Sequence, residues 1–152
     1  MNYATIGTSW ITEKFISAAS CVEDMKLCAV YSRNEDTAKA FAEKHGAEKY
    51  FTSLEDLAND ENTESVYIAS PNVFHFEQSK FLLEHSKNVI CEKPATTTTE
   101  QMEYLIKLAE EKNLVYTEAI MSIHTSAFDA LKELITKIGK IRSFVRCSVE
   151  IE

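Results

Sequence analysis

Short apolar runs alternate with amphipathic stretches along the chain, and no other feature of the sequence restricts the fold as strongly. The runs are Tyr3-Ala4-Thr5-Ile6, Leu27-Cys28-Ala29-Val30-Tyr31, Lys49-Tyr50-Phe51, Val66-Tyr67-Ile68-Ala69, Asn88-Val89-Ile90-Cys91 and Leu114-Val115-Tyr116-Thr117. Each has the length of a strand, and their continuous apolar character calls for cover on both faces, as in a parallel sheet. The intervening stretches carry helix signals. Asn34 is placed to cap a helix with Ala38, Phe41 and Ala42 on one face and Gly46 at its end. Ser53-Leu54-Glu55-Asp56 and Thr97-Thr98-Thr99-Glu100 read as capping boxes. The second opens a long helix whose inward stripe is Met102, Leu105, Ile106 and Ala109. The expected fold class is therefore α/β, a doubly wound parallel sheet.

The pattern changes near the end of the chain. After a helix face of Phe128, Leu131, Leu134 and Ile135, the residues from Ile141 to Glu152 alternate with a period of two. Ile141, Val145, Cys147, Val149 and Ile151 fall on one side and Arg142, Arg146, Glu150 and Glu152 on the other. Such a strand belongs to an antiparallel sheet with one wet face, and it needs partners. Either the chain is a shortened one or a partner chain completes that sheet.

At 152 residues and 45% hydrophobic content, one core suffices without disulfides or a structural metal. The cysteines Cys21, Cys28, Cys91 and Cys147 form no C-x-x-C pair, and no metal site is expected. A formal net charge of -8 repels a phosphate backbone and anionic lipid, so neither nucleic acid nor membrane is an expected partner. No apolar run approaches the roughly 20 residues that span a bilayer. With no signal peptide before the first strand, a reducing cytoplasm is the expected compartment.

The candidate chemistry follows the strands. The first runs into Gly7-Thr8-Ser9-Trp10-Ile11-Thr12 and then a helix with Phe15, Ile16 and Ala19. A dinucleotide turn uses one glycine for the bend, a second for approach of the pyrophosphate and a third for helix packing. Here Gly7 stands at the first position, with Ser9 and Thr12 at the others. Taken alone, this segment fits a ligand-free turn equally well. The second strand ends at Tyr31-Ser32-Arg33. A carboxylate there would suit the 2′-hydroxyl of NAD, whereas the hydroxyl of Ser32 and the guanidinium of Arg33 suit a 2′-phosphate. Two further groups lie at strand ends: Ser70-Pro71-Asn72-Val73-Phe74-His75 after the fourth, and Glu92-Lys93-Pro94 after the fifth.

These stretches, with Ile6-Gly7-Thr8 and the Glu118-Ala119 pair, resemble the Gfo/Idh/MocA family of NAD(P)-dependent oxidoreductases, over essentially the whole chain. The resemblance implies a Rossmann domain at residues 1–120. Residues 121–152 would then be a connecting helix and the first strand of an α+β domain for substrate binding and oligomerisation. It implies Lys93 as the catalytic residue beside the nicotinamide and the reacting carbinol, as a base or as a charge favouring the alkoxide. Glu92 is placed to hold the Lys93 amine, and Pro94 marks a site to look for a cis peptide. Gly7, Thr8, Ser9, Trp10, Ile11, Ser32, Arg33, Ser70, Pro71, Asn72, His75, Glu92 and Lys93 are the expected cofactor contacts. NADP is the expected cofactor, with NAD as the alternative, and the expected substrate is a sugar, polyol or diol. The full-length protein would be a homo-oligomer, while a chain of this length would have little turnover by itself. A dinucleotide-binding regulator without catalysis is the competing reading, favoured by the two replaced glycines and disfavoured by Glu92-Lys93-Pro94. An α/β protein that binds no dinucleotide is the third.

Overall fold

A computed structural model describes residues 1–137, the side chain of His124 excepted. They fall into two units, Met1–Ala119 and the segment from Ile120 onward. The first unit contains the strands β1 (Asn2–Ile6), β2 (Lys26–Tyr31), β3 (Lys49–Phe51), β4 (Ser65–Ile68), β5 (Asn88–Glu92) and β6 (Tyr116–Ala119). Its helices are α1 (Trp10–Ala19), α2 (Glu35–His45), α3 (Leu54–Asn59), α4 (His75–Glu84) and α5 (Thr99–Glu111), with a 3-10 turn at Asn72–Phe74. The second contains a 3-10 turn at Met121–His124 and α6 (Ser126–Lys137).

The strands form one parallel sheet in the order β3-β2-β1-β4-β5-β6, the Rossmann arrangement. Ile16 and Ala19 of α1 and Phe41 and Ala42 of α2 cover one face, over Tyr3, Leu27 and Val30. The other face buries Ala4, Ile6, Val66, Ile68, Val89 and Cys91 under Leu57 of α3, Leu82 and Leu83 of α4, and Leu105 and Ala109 of α5. Strand order reverses between β1 and β4, so the two connections leave their carboxyl ends in opposite directions and open a crevice there.

Local chemistry explains where the elements stop. Asn34 caps α2 through a bond from the Thr37 N–H at 2.9 Å, and Ser53 caps α3 from the Asp56 N–H at 3.2 Å. Gly46 ends α2 in the left-handed region, at φ 71°. Ser86 and Asn113 do the same after α4 and α5, at φ 62° and 55°, positions the sequence did not mark. Three details differ from the expectation. The cap of α5 is Thr98 rather than Thr97, and Gln101 rather than Glu100 reaches back, its Oε1 accepting from the Thr97 N–H at 3.1 Å. Strand β6 begins at Tyr116 instead of Leu114, because the Leu114 N–H bonds the Ala109 carbonyl at 2.8 Å and completes the helix stop. Ile106 is 45% exposed, on the flank of the stripe, and Leu108 packs instead. The strand expected from Ile141 to Glu152 lies outside the described residues.

Among the described residues no helix is long and apolar enough to cross a membrane, and no cluster of His, Cys, Asp or Glu is placed to hold a metal ion.

Cys91 is fully buried on β5, and burial pushes its thiol up to about 12. The unfolded chain's thiol ionises near 9, so its contribution is fully present below that pH and is lost as the pH rises toward 12. Between about pH 9 and 11, Cys91→Ala should therefore lose about 2 kcal/mol less stability than the parent chain. Urea unfolding across that range measures the difference, which separates the thiol from Tyr67, Tyr116 and Lys87 titrating nearby.

Candidate functional site

Gly7 is where β1 passes into α1, at φ +101°, in the region L side chains rarely adopt. A Cβ added there would lie 2.5 Å from the Ala69 carbonyl oxygen at the end of β4. The bend thus depends on glycine for both conformation and space. Its N–H donates to the Tyr31 carbonyl at 3.2 Å, tying the turn to β2. Ser9 then takes the cap position of α1 with extended backbone, φ -86° and ψ 171°, and its hydroxyl caps nothing. The first turn of α1 therefore retains donors for an anion. Thr12, at the third glycine position, is fully buried against the sheet, so a small β-branched residue fills that contact.

A cleft of about 910 Å³ opens from this turn along the carboxyl edge of the sheet. Gly7, Thr8 and Ser9 form one end, Ser32 and Arg33 one side, and Ser70 and Pro71 the other. Phe74, Leu54 and Phe81 add apolar wall, and Glu77, Gln78, Lys80 and Glu84 of α4 give it a polar rim. Ser70 is fixed by donating its hydroxyl to Gln78 Oε1 at 2.6 Å. Arg33 is exposed and forms no ion pair among the described residues, while its Cζ lies 5.1 Å from the centroid of the Phe74 ring. The donor set of an uncapped helix start, two serines and an unpaired guanidinium between apolar walls fits a phosphorylated nucleoside.

The remaining expected contacts lie off this cleft. Trp10 is 70% exposed at the start of α1 beside the turn, and Ile11 is half-buried behind it. Asn72 is exposed in the 3-10 turn. His75 is fully buried, with Nδ1 2.8 Å from the Pro94 carbonyl oxygen and Nε2 2.8 Å from that of Ser70. Both carbonyl oxygens can only accept, so each contact is a bond only where that ring nitrogen carries a proton, and the ring packs between the turn after β4 and the turn after β5.

Lys93 is exposed after β5, and the Lys93-Pro94 peptide is cis. Glu92 is buried and does not hold the Lys93 amine. Its Oε1 accepts from the Tyr67 hydroxyl at 2.7 Å, its Oε2 accepts from the Lys93 backbone N–H at 3.3 Å, and no ion pair joins the two side chains among the described residues. Successive side chains of an extended strand point to opposite faces, and Glu92 lies on the α1 face with Tyr67. Burial, then the Glu92 carboxylate, holds the Tyr67 phenol far above the usual range, so it stays a proton donor to Glu92. Tyr67 in turn stacks on Phe15 of α1, with ring centroids 3.8 Å apart. Glu118 of β6 supports the same loop, accepting from the Ala95 N–H at 2.8 Å.

Sequence reasoning missed Tyr67, Phe74 and Gln78. Tyr67 carried a signal, since a tyrosine in a strand buried on both faces needs a partner for its hydroxyl. Phe74 and Gln78 carried none, because only the fold brings the 3-10 turn and α4, which follow β4, to the cleft that Ser32 and Arg33 also line.

A family model described as an oxidoreductase family with an NAD-binding Rossmann fold matches residues 1–120. The chain is 40% identical over 144 residues to scyllo-inositol 2-dehydrogenase (NADP(+)) of Bacillus subtilis, covering 95% of this chain and 44% of that protein. It is 28% identical over 146 residues to trans-1,2-dihydrobenzene-1,2-diol dehydrogenase of Xenopus tropicalis, covering 93% and 44%. Among solved structures, a 3-ketoreductase from Actinomadura kijaniata in complex with TDP-benzene and NADP superposes with a TM-score of 0.84 at 28% identity, covering 90% of this chain and 43% of that one. The chain thus spans less than half the length of these relatives.

Gly7→Ala should destabilise the domain by about 3 kcal/mol, combining the left-handed backbone penalty with the clash at Ala69. A urea midpoint unchanged from the parent would contradict the role given to this contact.

Proposed function

The chain belongs to the Gfo/Idh/MocA family of oxidoreductases, and on that premise we propose that it is the cofactor-binding part of an NADP-dependent enzyme oxidising a secondary alcohol of a sugar, polyol or diol, or reducing the corresponding ketone. The observation that carries this reading is the cleft side formed by Ser32 and Arg33, where the second strand ends without a carboxylate. A hydroxyl and an unpaired guanidinium bind a 2′-phosphate, and an acid in that place would repel it. The relatives support it: the Bacillus subtilis enzyme is named as NADP(+)-dependent, and the Actinomadura kijaniata structure holds NADP. NAD remains the alternative ligand of the same cleft.

In this reading Gly7, Thr8 and Ser9 receive the pyrophosphate on the N–H groups of α1, and Ser70 and Pro71 bound the ribose side. Trp10, Ile11 and Asn72 contribute from the rim, where the cofactor emerges from the cleft. Bound nicotinamide supplies the two-electron acceptor or donor that amino-acid side chains lack. Lys93 does the proton work: its amine bonds the substrate oxygen, taking the hydroxyl proton in the oxidation or favouring the alkoxide. Glu92 acts on the backbone. By accepting from the Lys93 N–H it fixes where the lysine leaves the strand, and the Tyr67 hydroxyl holds Glu92 in turn. His75, packed between the Ser70 and Pro94 carbonyls, spaces the cofactor side from the lysine turn. We assign residues 121–152 to the connection into a second domain that completes the substrate site and the subunit contact.

Titration of the chain with NADPH and NADH tests the cofactor assignment. NADPH should bind more tightly, and the Ser32→Asp/Arg33→Ala variant should lose about 10- to 100-fold in NADPH affinity while NADH gains. Equal affinities in the parent chain would refute the 2′-phosphate reading. In the full-length protein Lys93→Met should lower kcat by about 10²- to 10³-fold with a secondary alcohol substrate.

A further inference from the structure

We infer that Phe74 is a specificity-determining residue, a positioning residue that selects for the 2′-phosphate by holding Arg33 in its binding posture. The inference rests on the NADP reading above and adds the second side chain that reading needs. Arg33 follows β2 on an exposed turn, where a long side chain would ordinarily sample many rotamers. Phe74 comes from a separate element, the 3-10 turn after β4, and is still 37% exposed at the cleft wall. The guanidinium carbon lies 5.1 Å from the Phe74 ring centroid, within the range of a cation–π contact.

This contact draws on the ring quadrupole and offers no lone pair, so it does not saturate the five N–H donors of the guanidinium. A phosphate ester is bound through those N–H donors, so the contact and the ligand do not compete for hydrogen bonds. A carboxylate partner would do the opposite, occupying the same donors the phosphate needs. Among the described residues Arg33 has no such partner, although Glu35 and Asp36 open the adjacent helix α2. The Glu35 Oε1 instead accepts from the Tyr50 hydroxyl at 3.3 Å. The arrangement therefore orders the cation before ligand arrives, which reduces the entropy lost on binding. Its effect is confined to ligands that engage the N–H donors of Arg33, namely 2′-phosphorylated adenosines.

The probes are adenosine 2′,5′-bisphosphate and adenosine 5′-monophosphate, titrated by calorimetry into the full chain. The reading taken is the ratio of their affinities. Any contact of Phe74 with the base acts on both ligands and cancels in that ratio. Phe74→Leu should lower the ratio about threefold, the scale of one exposed cation–π contact. Phe74→Tyr, which keeps the ring, should restore it. In an Arg33→Ala background Phe74→Leu should leave the ratio unchanged, since no cation remains to be held. Circular dichroism and urea midpoints check that the variants fold. A ratio unaffected by Phe74→Leu overturns the inference and leaves the NADP reading standing. No preference of the parent chain for the bisphosphate, or no binding of either probe, overturns both.

Discussion

The contact between Gly7 and the Ala69 carbonyl is the constraint on which the site depends. It lies where the sheet reverses its order, so β1 and β4 are hydrogen-bonded neighbours whose following connections diverge to opposite faces. The β1–α1 turn can clear the end of β4 only with no side chain at position 7. That close approach forms one end of the cleft, which Gly7, Thr8 and Ser9 line together with Ser32 and Ser70. The other glycine positions of the usual turn are less demanding here. Ser9 is exposed, and Thr12 fits into the packing between helix and sheet.

A second set of contacts joins the cleft to the lysine turn. Phe15 of α1 stacks on Tyr67 of β4, Tyr67 donates to Glu92 of β5, and Glu92 accepts from the Lys93 N–H. On the other side the His75 ring packs between the carbonyls of Ser70 and Pro94. Tyr67 and Glu92 are buried, where an unmade hydrogen bond is costly. The position of Lys93 relative to the phosphate turn is thus fixed by side chains that touch neither ligand nor substrate in the proposed reading. Glu92 does not pair with the lysine amine because its buried carboxylate already accepts from the Tyr67 hydroxyl and the Lys93 N–H.

Much of this is legible in the sequence. Alternating apolar runs gave the parallel sheet, and β1 to β5 fall within a residue or two of the runs that announced them. The caps at Asn34 and Ser53 and the stop at Gly46 act as their residue types require. What failed was local competition. Leu114 and Val115 have strand character, but the helix stop at Asn113 uses the Leu114 N–H. Thr97, Thr98 and Thr99 offer equivalent hydroxyls, and the choice among them went to the one from which Gln101 could reach back.

The sheet and the chemical character of each strand end are written in the sequence, because they follow from periodicity and from functional groups carried in single segments, whereas the need for glycine at position 7 comes from the Ala69 carbonyl that the fold brings against it. Which of those strand-end residues share a cleft is set by the fold. Ser32, Arg33 and Ser70 line it, His75 turns inward and Glu92 turns toward Tyr67. The direction of a side chain at a strand end depends on which neighbour offers a partner, and those neighbours are more than twenty residues away in sequence for the Tyr67–Glu92 and Arg33–Phe74 pairs. No local pattern encodes a pairing of that kind. It is settled when the strands take their order and the unpaired donors find the acceptors left beside them.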